Sequence, residues 1–511
     1  MIDTAGLRGK LPDYAFDEFQ FLVAQLGRTQ VRNQVRADFY DMHNRWEDLQ
    51  VAIPPRFRNI QVASGWAAKA VDHLARRVRM ESFTLPGAGS LDAFGVQELW
   101  DDNYMDVDLP QATTSAFVHS PGFLATMEGD TDLGEPDVVF SAHDALHATG
   151  RWNWSRRGLD SALLILDVDH SYEGGLVAAT GGEPSRLMFF HEDRMYDCRR
   201  DRVGGVYSQF WSVEVQEHAL GRIPVEPLLY HPRTSRPFGG SRITRGVIYL
   251  VNAALRSMVR AELGAEFFAA PQRYALNVAE EDLYADGRTE WDVLIGKMLT
   301  LGAAENPDDP DAVLGQFPQV SMQPHVDLFR MWATAFSGET GIPVGSLGVV
   351  QDNPSSAEAI YANKEDLVLE AEECTRIFTP AIRRTMLNGI QMRENLTEIP
   401  AELKRLGIRW VDPSTPSRNQ QTDAVMKQVA GGVLPADSEV TLELLGHNRD
   451  TIERVMAERR RSAARETVRA ALAAQAAPTP VATPPAAPVD AETAGQSVPQ
   501  SRNGNPALNN E

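Results

Sequence analysis

The chain has 511 residues, 43% of them hydrophobic and 23% charged, with a formal charge of −21 at pH 7. That length predicts three or four folding units rather than one core, and no apolar run approaches the roughly 18 residues of a membrane-spanning helix. The acidity argues against a protein that coats nucleic acid by neutralising phosphates, and two cysteines, Cys198 and Cys374, are too few for a disulfide framework or a clustered zinc site.

The N-terminus has no apolar stretch behind a basic start, so the expected location is the cytoplasm. After the extended run Ile53-Pro54-Pro55-Arg56, Trp66, Ala70, Leu74 and Val78 recur at helical spacing, which predicts a helix over about 61–80. Residues 80–150 hold thirteen Asp or Glu and neither Lys nor Arg, either a solvated face or a surface that steers a basic partner. From about 115 to 230, short apolar runs at 162–167, 187–190 and 206–215, separated by glycine-rich turns, read as strands of an α+β domain.

Pro237-Phe238-Gly239-Gly240 ends that domain, and Ser241 is placed to cap a helix running to about Gly264. Its wheel is two-faced: Ile243, Val247, Leu250, Ala254, Met258 and Ala261 on one side, Arg242, Arg245, Arg256 and Arg260 on the other. Such arginines are a solvated edge, ion-pair partners for a neighbouring subunit, or a track along a polyanion. Residues 266–276, including Phe267, Phe268, Gln272, Arg273 and Tyr274, read as a strand broken by Pro271, and 279–312 as a small acidic α/β insertion. A return helix over about 325–340 aligns Leu328, Phe329, Trp332, Ala335 and Phe336 and stops at Gly341-Ile342-Pro343. The small-residue loop 344–354 precedes a long helix, opened by the capping box Ser355/Glu358 and expected to kink at Pro380. Residues 421–470 read as two or three helices broken at Gly431-Gly432 and Leu434-Pro435, and the Ala/Pro-rich remainder from 471 cannot bury a core.

Phosphate-cradling G-x-x-x-x-G-K-[ST] and G-x-G-x-x-G loops are absent, as are a G-x-S-x-G nucleophile elbow and a recognisable cysteine-nucleophile signature. The one enzymatic lead is His143-Asp144-Ala145-Leu146-His147. On a helix these histidines share a face and could hold a metal, with His170 or His191 as a conceivable third ligand, although Asp stands where that spacing normally carries Glu.

The order of these parts resembles the portal protein of tailed bacteriophages, in the siphophage branch and nearest its actinobacteriophage members. The residues that carry the likeness are Ala52-Ile53-Pro54-Pro55, the helix from Trp66 to Arg77, Ser241-Arg242-Ile243-Thr244-Arg245, the run from Ala265 to Tyr274, Glu339-Thr340-Gly341-Ile342-Pro343, the run from Asn353 to Ile360, and Gly432-Val433-Leu434-Pro435 leading to Leu442-Glu443-Leu444-Leu445-Gly446. They span about 40–460.

The resemblance implies a multidomain α+β portal fold: an N-terminal arm at 1–39, a wing at 40–240 and 342–420 that holds the tunnel loop and the long kinked helix, stem helices at 241–264 and 323–341, a small α/β clip at 265–322, a helical crown at 421–470 and a disordered tail at 471–511. It implies a ring of about twelve subunits at the capsid vertex of the virion, built in the host cytoplasm, through which double-stranded DNA is packaged and ejected. Large terminase and then a head-completion adaptor would dock on the clip at Phe267, Phe268, Gln272, Arg273 and Tyr274. Major capsid and scaffolding proteins are the other implied partners. The tunnel loop would present Ser346, Val349, Gln351, Asp352 and Asn353 to DNA, and the arginine stem face would be Arg242, Arg245, Arg256 and Arg260. No catalysis, cofactor, metal or membrane is implied. The competing readings are a metal-dependent hydrolase at His143 and His147 and a different phage head structural protein.

Overall fold

The computed structural model describes residues 5–43, 62–86, 91–169, 183–203, 206–268, 273–277, 310, 313–316, 321–349, 364–414 and 418–476. Two compact units divide the chain, Met1–Thr415 and Pro416–Glu511.

The first unit contains, in chain order, α1 (Asp13–Tyr40), α2 (Trp66–Ala75), β1 (Met80–Thr84), α3 (Val96–Asp102), α4 (Met105–Val118), β2 (Gly122–Glu128), β3 (Val138–His143), β4 (Ala148–Asn153), β5 (Gly158–Asp169), β6 (Glu183–His191), β7 (Arg194–Val203), β8 (Val206–Glu217) and β9 (Val225–Leu228). Then follow α5 (Arg245–Phe268), β10 (Arg273–Leu276), β11 (Val313–Gln316), α6 (Gln323–Thr340), α7 (Glu365–Arg393) and β12 (Gly407–Trp410).

β4 to β8 form an antiparallel meander in sequence order, while β2 sits between β3 and β9 in a second sheet. The apolar run at 162–166 becomes the middle of β5, as expected, and strand alternation sends its side chains both ways. Leu163, with Leu187 and Phe189 of β6, packs on Phe16, Phe19 and Leu22 of α1. Ala162 and Leu164, with Met188 and Phe190, pack on Phe123 and Ala125 of β2. A sheet covered on both faces explains why this segment is continuously apolar rather than alternating. The largest core gathers α2, α4, α5, α6 and α7 around Trp66, Phe117, Phe336 and Phe378.

The second unit holds α8 (Arg418–Ala430), α9 (Glu439–Leu444) and α10 (Arg449–Ala476), with Val425, Leu442 and Ile452 buried. The breaks fall at Gly431-Gly432 and before Ser438, whose hydroxyl caps α9 by accepting from the Thr441 amide. Among the described residues no helix is long and apolar enough to cross a membrane.

Several expectations are corrected. The helix expected over 61–80 ends at Ala75, and Met80 begins a strand paired with β12. That partner lies over 300 residues away, beyond the reach of local periodicity. α5, expected to begin beside Ser241, starts at Arg245: Thr244 accepts from the Val247 amide at 3.1 Å, and Ser241 instead donates to the Val118 carbonyl at 2.6 Å. At its other end it runs through Phe267 and Phe268, which are helical and not part of a strand. On α6 the buried residue is Ala333, while Ala335 is exposed, because the stripe continues from Phe329 at +4, +7 and +11 to Ala333, Phe336 and Thr340. As expected, α7 carries Pro380 in its interior. α10 extends to Ala476, so residues 471–476 are helix and not tail. The Ile53-Pro54-Pro55 run, the Ser355/Glu358 capping box, Gln272, the bulk of the acidic insertion, and Gln351, Asp352 and Asn353 lie outside the described residues.

Candidate functional site

α5 and α6 lie side by side and antiparallel. Thr244 and Gly246, at the start of α5, meet Glu339 near the end of α6, while Gly264 meets Met322 and His325 at its beginning. Between these ends the Trp332 indole donates to Ser257 Oγ at 3.1 Å and meets Tyr249 edge-on, with ring centroids 6.1 Å apart. Of the residues predicted to form the apolar face, Val247, Leu250 and Ala254 on α5 are buried, as is Ile243 just before it. Beyond the far ends of the pair, β10 and β11 form a short antiparallel ladder from Arg273/Gln316 to Leu276/Val313, on which Tyr274 and Leu276 are exposed.

The arginines of this pair separate into two kinds. Arg245 and Arg260 are exposed with no carboxylate partner among the described residues, and the Arg256 guanidinium lies 5.9 Å from the centre of the Tyr249 ring. Arg242, expected on the same face, is only 5% exposed. It precedes the helix, so the 100° rule never applied to it, and the backbone turns its side chain inward. There it donates to Glu370 of α7, to the Ala70 carbonyl of α2 and, at 2.8 Å, to the Thr340 carbonyl at the end of α6. The Tyr230 hydroxyl also donates to Glu370. Burial pulls the Arg242 pKa down, and Glu370 and Tyr230 more than restore it. One cation therefore joins the beginning of the α5–α6 pair, its end, α2 and the long helix α7. Sequence reasoning missed this because Glu370 lies 128 residues away.

The loop after α6 opens as a 3-10 turn at Val344–Leu347. Leu347 is buried, Val344 and Val349 pack against the main core, and the Lys69 ammonium donates to the Ser346 carbonyl at 2.6 Å. The candidate Ser346 and Val349 thus stand on a segment tied to the core.

The candidate metal pair is not built. His143 ends β3, and Asp144 to His147 form a turn rather than a helix, so the i, i+4 geometry does not arise. Asp144 Oδ1 accepts from the amides of Leu146 and His147 and from His147 Nδ1 at 2.7 Å, making it a turn former. Among the described residues no group of three His, Cys, Asp or Glu could hold a metal ion.

This turn does carry a pH dependence. Burial holds His119 and His143 down at about 4, working against the nearby Asp144. An unfolded histidine titrates near 6.5, so between those values the unfolded chain binds the extra proton and stability falls as pH drops. His147 is raised by its bond to Asp144 and acts in the opposite sense. The His119→Leu variant is expected to lose ~3 kcal/mol less than the parent between pH 7 and pH 4, read from urea midpoints at the two pH values. Equal losses in both chains would refute the assignment.

Residues 28–463 match the family described as "Phage portal protein, SPP1 Gp6-like". A protein named "Portal protein" from Mycobacterium phage L5 is 26% identical over 411 residues, covering 78% of this chain and 79% of its own. Its namesake from Mycobacterium phage D29 is 26% identical over 408 residues with the same coverage. Among solved structures, "Neck of native GTA particle computed with C12 symmetry" overlaps 75% of this chain and 89% of its own at 13% identity and a TM-score of 0.37. "Neck of empty GTA particle computed with C6 symmetry" overlaps 74% and 89% at 14% identity and 0.38. Overlaps this loose transfer no detail.

Proposed function

The chain belongs to the SPP1 Gp6-like family of phage portal proteins, and from that premise we propose that about twelve copies close into a ring at one vertex of the capsid, forming the channel through which double-stranded DNA is packaged and later ejected. Membership makes the protein a structural component of the phage head and not an enzyme. The observation that carries the reading is the match across 28–463, which takes in all the described elements from α2 to α9.

In this reading 241–264 and 323–341 are the stem, 265–322 the clip, 40–240 and 342–420 the wing, 421–470 the crown, 1–39 an N-terminal arm and 471–511 a tail. The antiparallel α5–α6 pair with the β10–β11 ladder beyond its far ends supports the stem and clip. Large terminase and afterwards a head-completion adaptor dock on the clip, at Phe267, Phe268, Gln272, Arg273 and Tyr274. The wing meets capsid and scaffolding proteins, and assembly takes place in the host cytoplasm.

Charge supports a conduit rather than a grip. Twelve copies would carry about −250 formal charges, and a duplex that must slide past a wall is retarded by each phosphate that the wall neutralises. The loop 344–354, with Ser346, Val349, Gln351, Asp352 and Asn353, has no Lys or Arg and offers DNA contact without a fixed cation. The exposed Arg245 and Arg260 pair with carboxylates of the adjacent subunit, which costs less than leaving guanidinium groups to face DNA as brakes.

Negative-stain imaging with mass determination of the purified chain tests the proposal. Twelve copies of 56.4 kDa weigh about 680 kDa, and the expected image is a ring with a central hole. A monomer under all assembly conditions, including co-expression with the capsid proteins, would overturn the proposal.

A further inference from the structure

Three arginines meet on one hollow of the first unit. Arg32 and Arg36 lie one turn apart on α1, which puts them on one face of that helix. Arg236 comes from the segment after β9, some 200 residues later in the chain. With Ser120 and the run Pro237-Phe238-Gly239-Gly240 they line a cavity of about 190 Å³. No carboxylate lines it, and among the described residues none of the three guanidinium groups is paired with an acid. In a chain of net charge −21 this is an unusual place to concentrate uncompensated positive charge.

The other polar groups of the hollow are already committed. Ser120 Oγ donates to the Phe238 carbonyl, the Gly239 amide to the Arg236 carbonyl, and the Gly240 amide to the Tyr230 carbonyl. Arg36 uses one nitrogen on the His119 carbonyl at 2.9 Å, which fixes the side chain without neutralising it. Burial, and then the charges of Arg32 and Arg236, push Arg36 down to about 10, and the same two influences, burial and Arg236, lower Arg32. The cluster is thus held together by the fold against its own repulsion.

We propose that this hollow is a binding site for a phosphate group, held by the forks of Arg32, Arg36 and Arg236. Arginine forks match phosphate and carboxylate oxygens alike, and charge decides between them. A carboxylate brings one negative charge, whereas a phosphate monoester at pH 7 brings about −1.5 to −2 with three acceptor oxygens, the better match for three cations. The site is built from α1, Ser120 and the turn that precedes α5.

The test is isothermal titration calorimetry on the full chain in low-salt buffer, with inorganic phosphate, glycerol phosphate and acetate as probes. The expected result is saturable phosphate binding with Kd near 1 mM or below, about −4 kcal/mol, and acetate at least tenfold weaker. Binding of inorganic phosphate alone identifies the free ion as the source, and binding of both phosphates identifies a monoester. Arg32 and Arg236 are exposed, so R32Q and R236Q, singly and together, are expected to fold, the pair weakening phosphate at least tenfold. R28Q, one turn earlier on α1 and outside the hollow, should bind as the parent does. No saturable phosphate binding, an unchanged affinity in the double variant, or acetate as tight as phosphate would each overturn the proposal.

Discussion

Replacing Arg242 with methionine is expected to lower the stability of the first unit by about 3–5 kcal/mol, the usual cost of removing one member of a buried ion pair. Arg242 is 5% exposed, and its loss leaves Glu370, among the described residues, with the Tyr230 hydroxyl and the His231 ring at 3.9 Å, and the Thr340 carbonyl at the end of α6 without its cation. Glu370→Leu alone should cost a similar amount, by stranding the guanidinium instead. The double variant Arg242→Met/Glu370→Leu should be less damaged than the sum of the singles, because neither charge is then left uncompensated. The check is a urea-unfolding cycle on the four chains. Additive losses would show that the pair does not couple α5 and α6 to α7.

Gly239→Val is expected to destabilise the chain by about 3 kcal/mol, whereas Gly240→Ala beside it stays within about 0.5 kcal/mol of the parent. Gly239 has φ +70°, a region costly for a β-branched residue, and a Cβ there would stand 1.9 Å from the Tyr230 carbonyl oxygen. That oxygen already accepts from the Gly240 amide, so it cannot withdraw without breaking the turn that leads to α5. A Cβ on Gly240 meets nothing within 4 Å. Thermal unfolding of the two variants separates them, and equal midpoints would show that the turn yields without cost.

Much of the α5–α6 pair is legible in the sequence. The apolar positions of α5, the stop of α6 at Gly341 with φ +67°, and the three helices after residue 416 follow from spacing, capping and glycine, which act within a turn or two of the chain. The β5 strand was equally plain, since five consecutive apolar residues must be covered on both faces. Failures fell where a pattern was assumed to continue. The helical wheel that takes in Arg242 begins only three residues later, His143 ends a strand and His147 lies in the turn after it, and Phe267 and Phe268 belong to the helix that the sequence reading ends before them.

The sequence by itself determined the strand of five consecutive apolar residues, the apolar face of α5 and the helices after residue 416, that the whole is strongly acidic, and that the chain resembles a phage portal protein. Only the tertiary structure decided that Arg242 is an interior tie while Arg245 is a surface charge, which of two adjacent glycines is irreplaceable, and that Arg32, Arg36 and Arg236 share a hollow. The physical reason is range. Periodicity and capping are set by neighbours along the chain, whereas the charge partner of a guanidinium, or the atom a new Cβ would strike, comes from whatever distant segment the fold packs beside it.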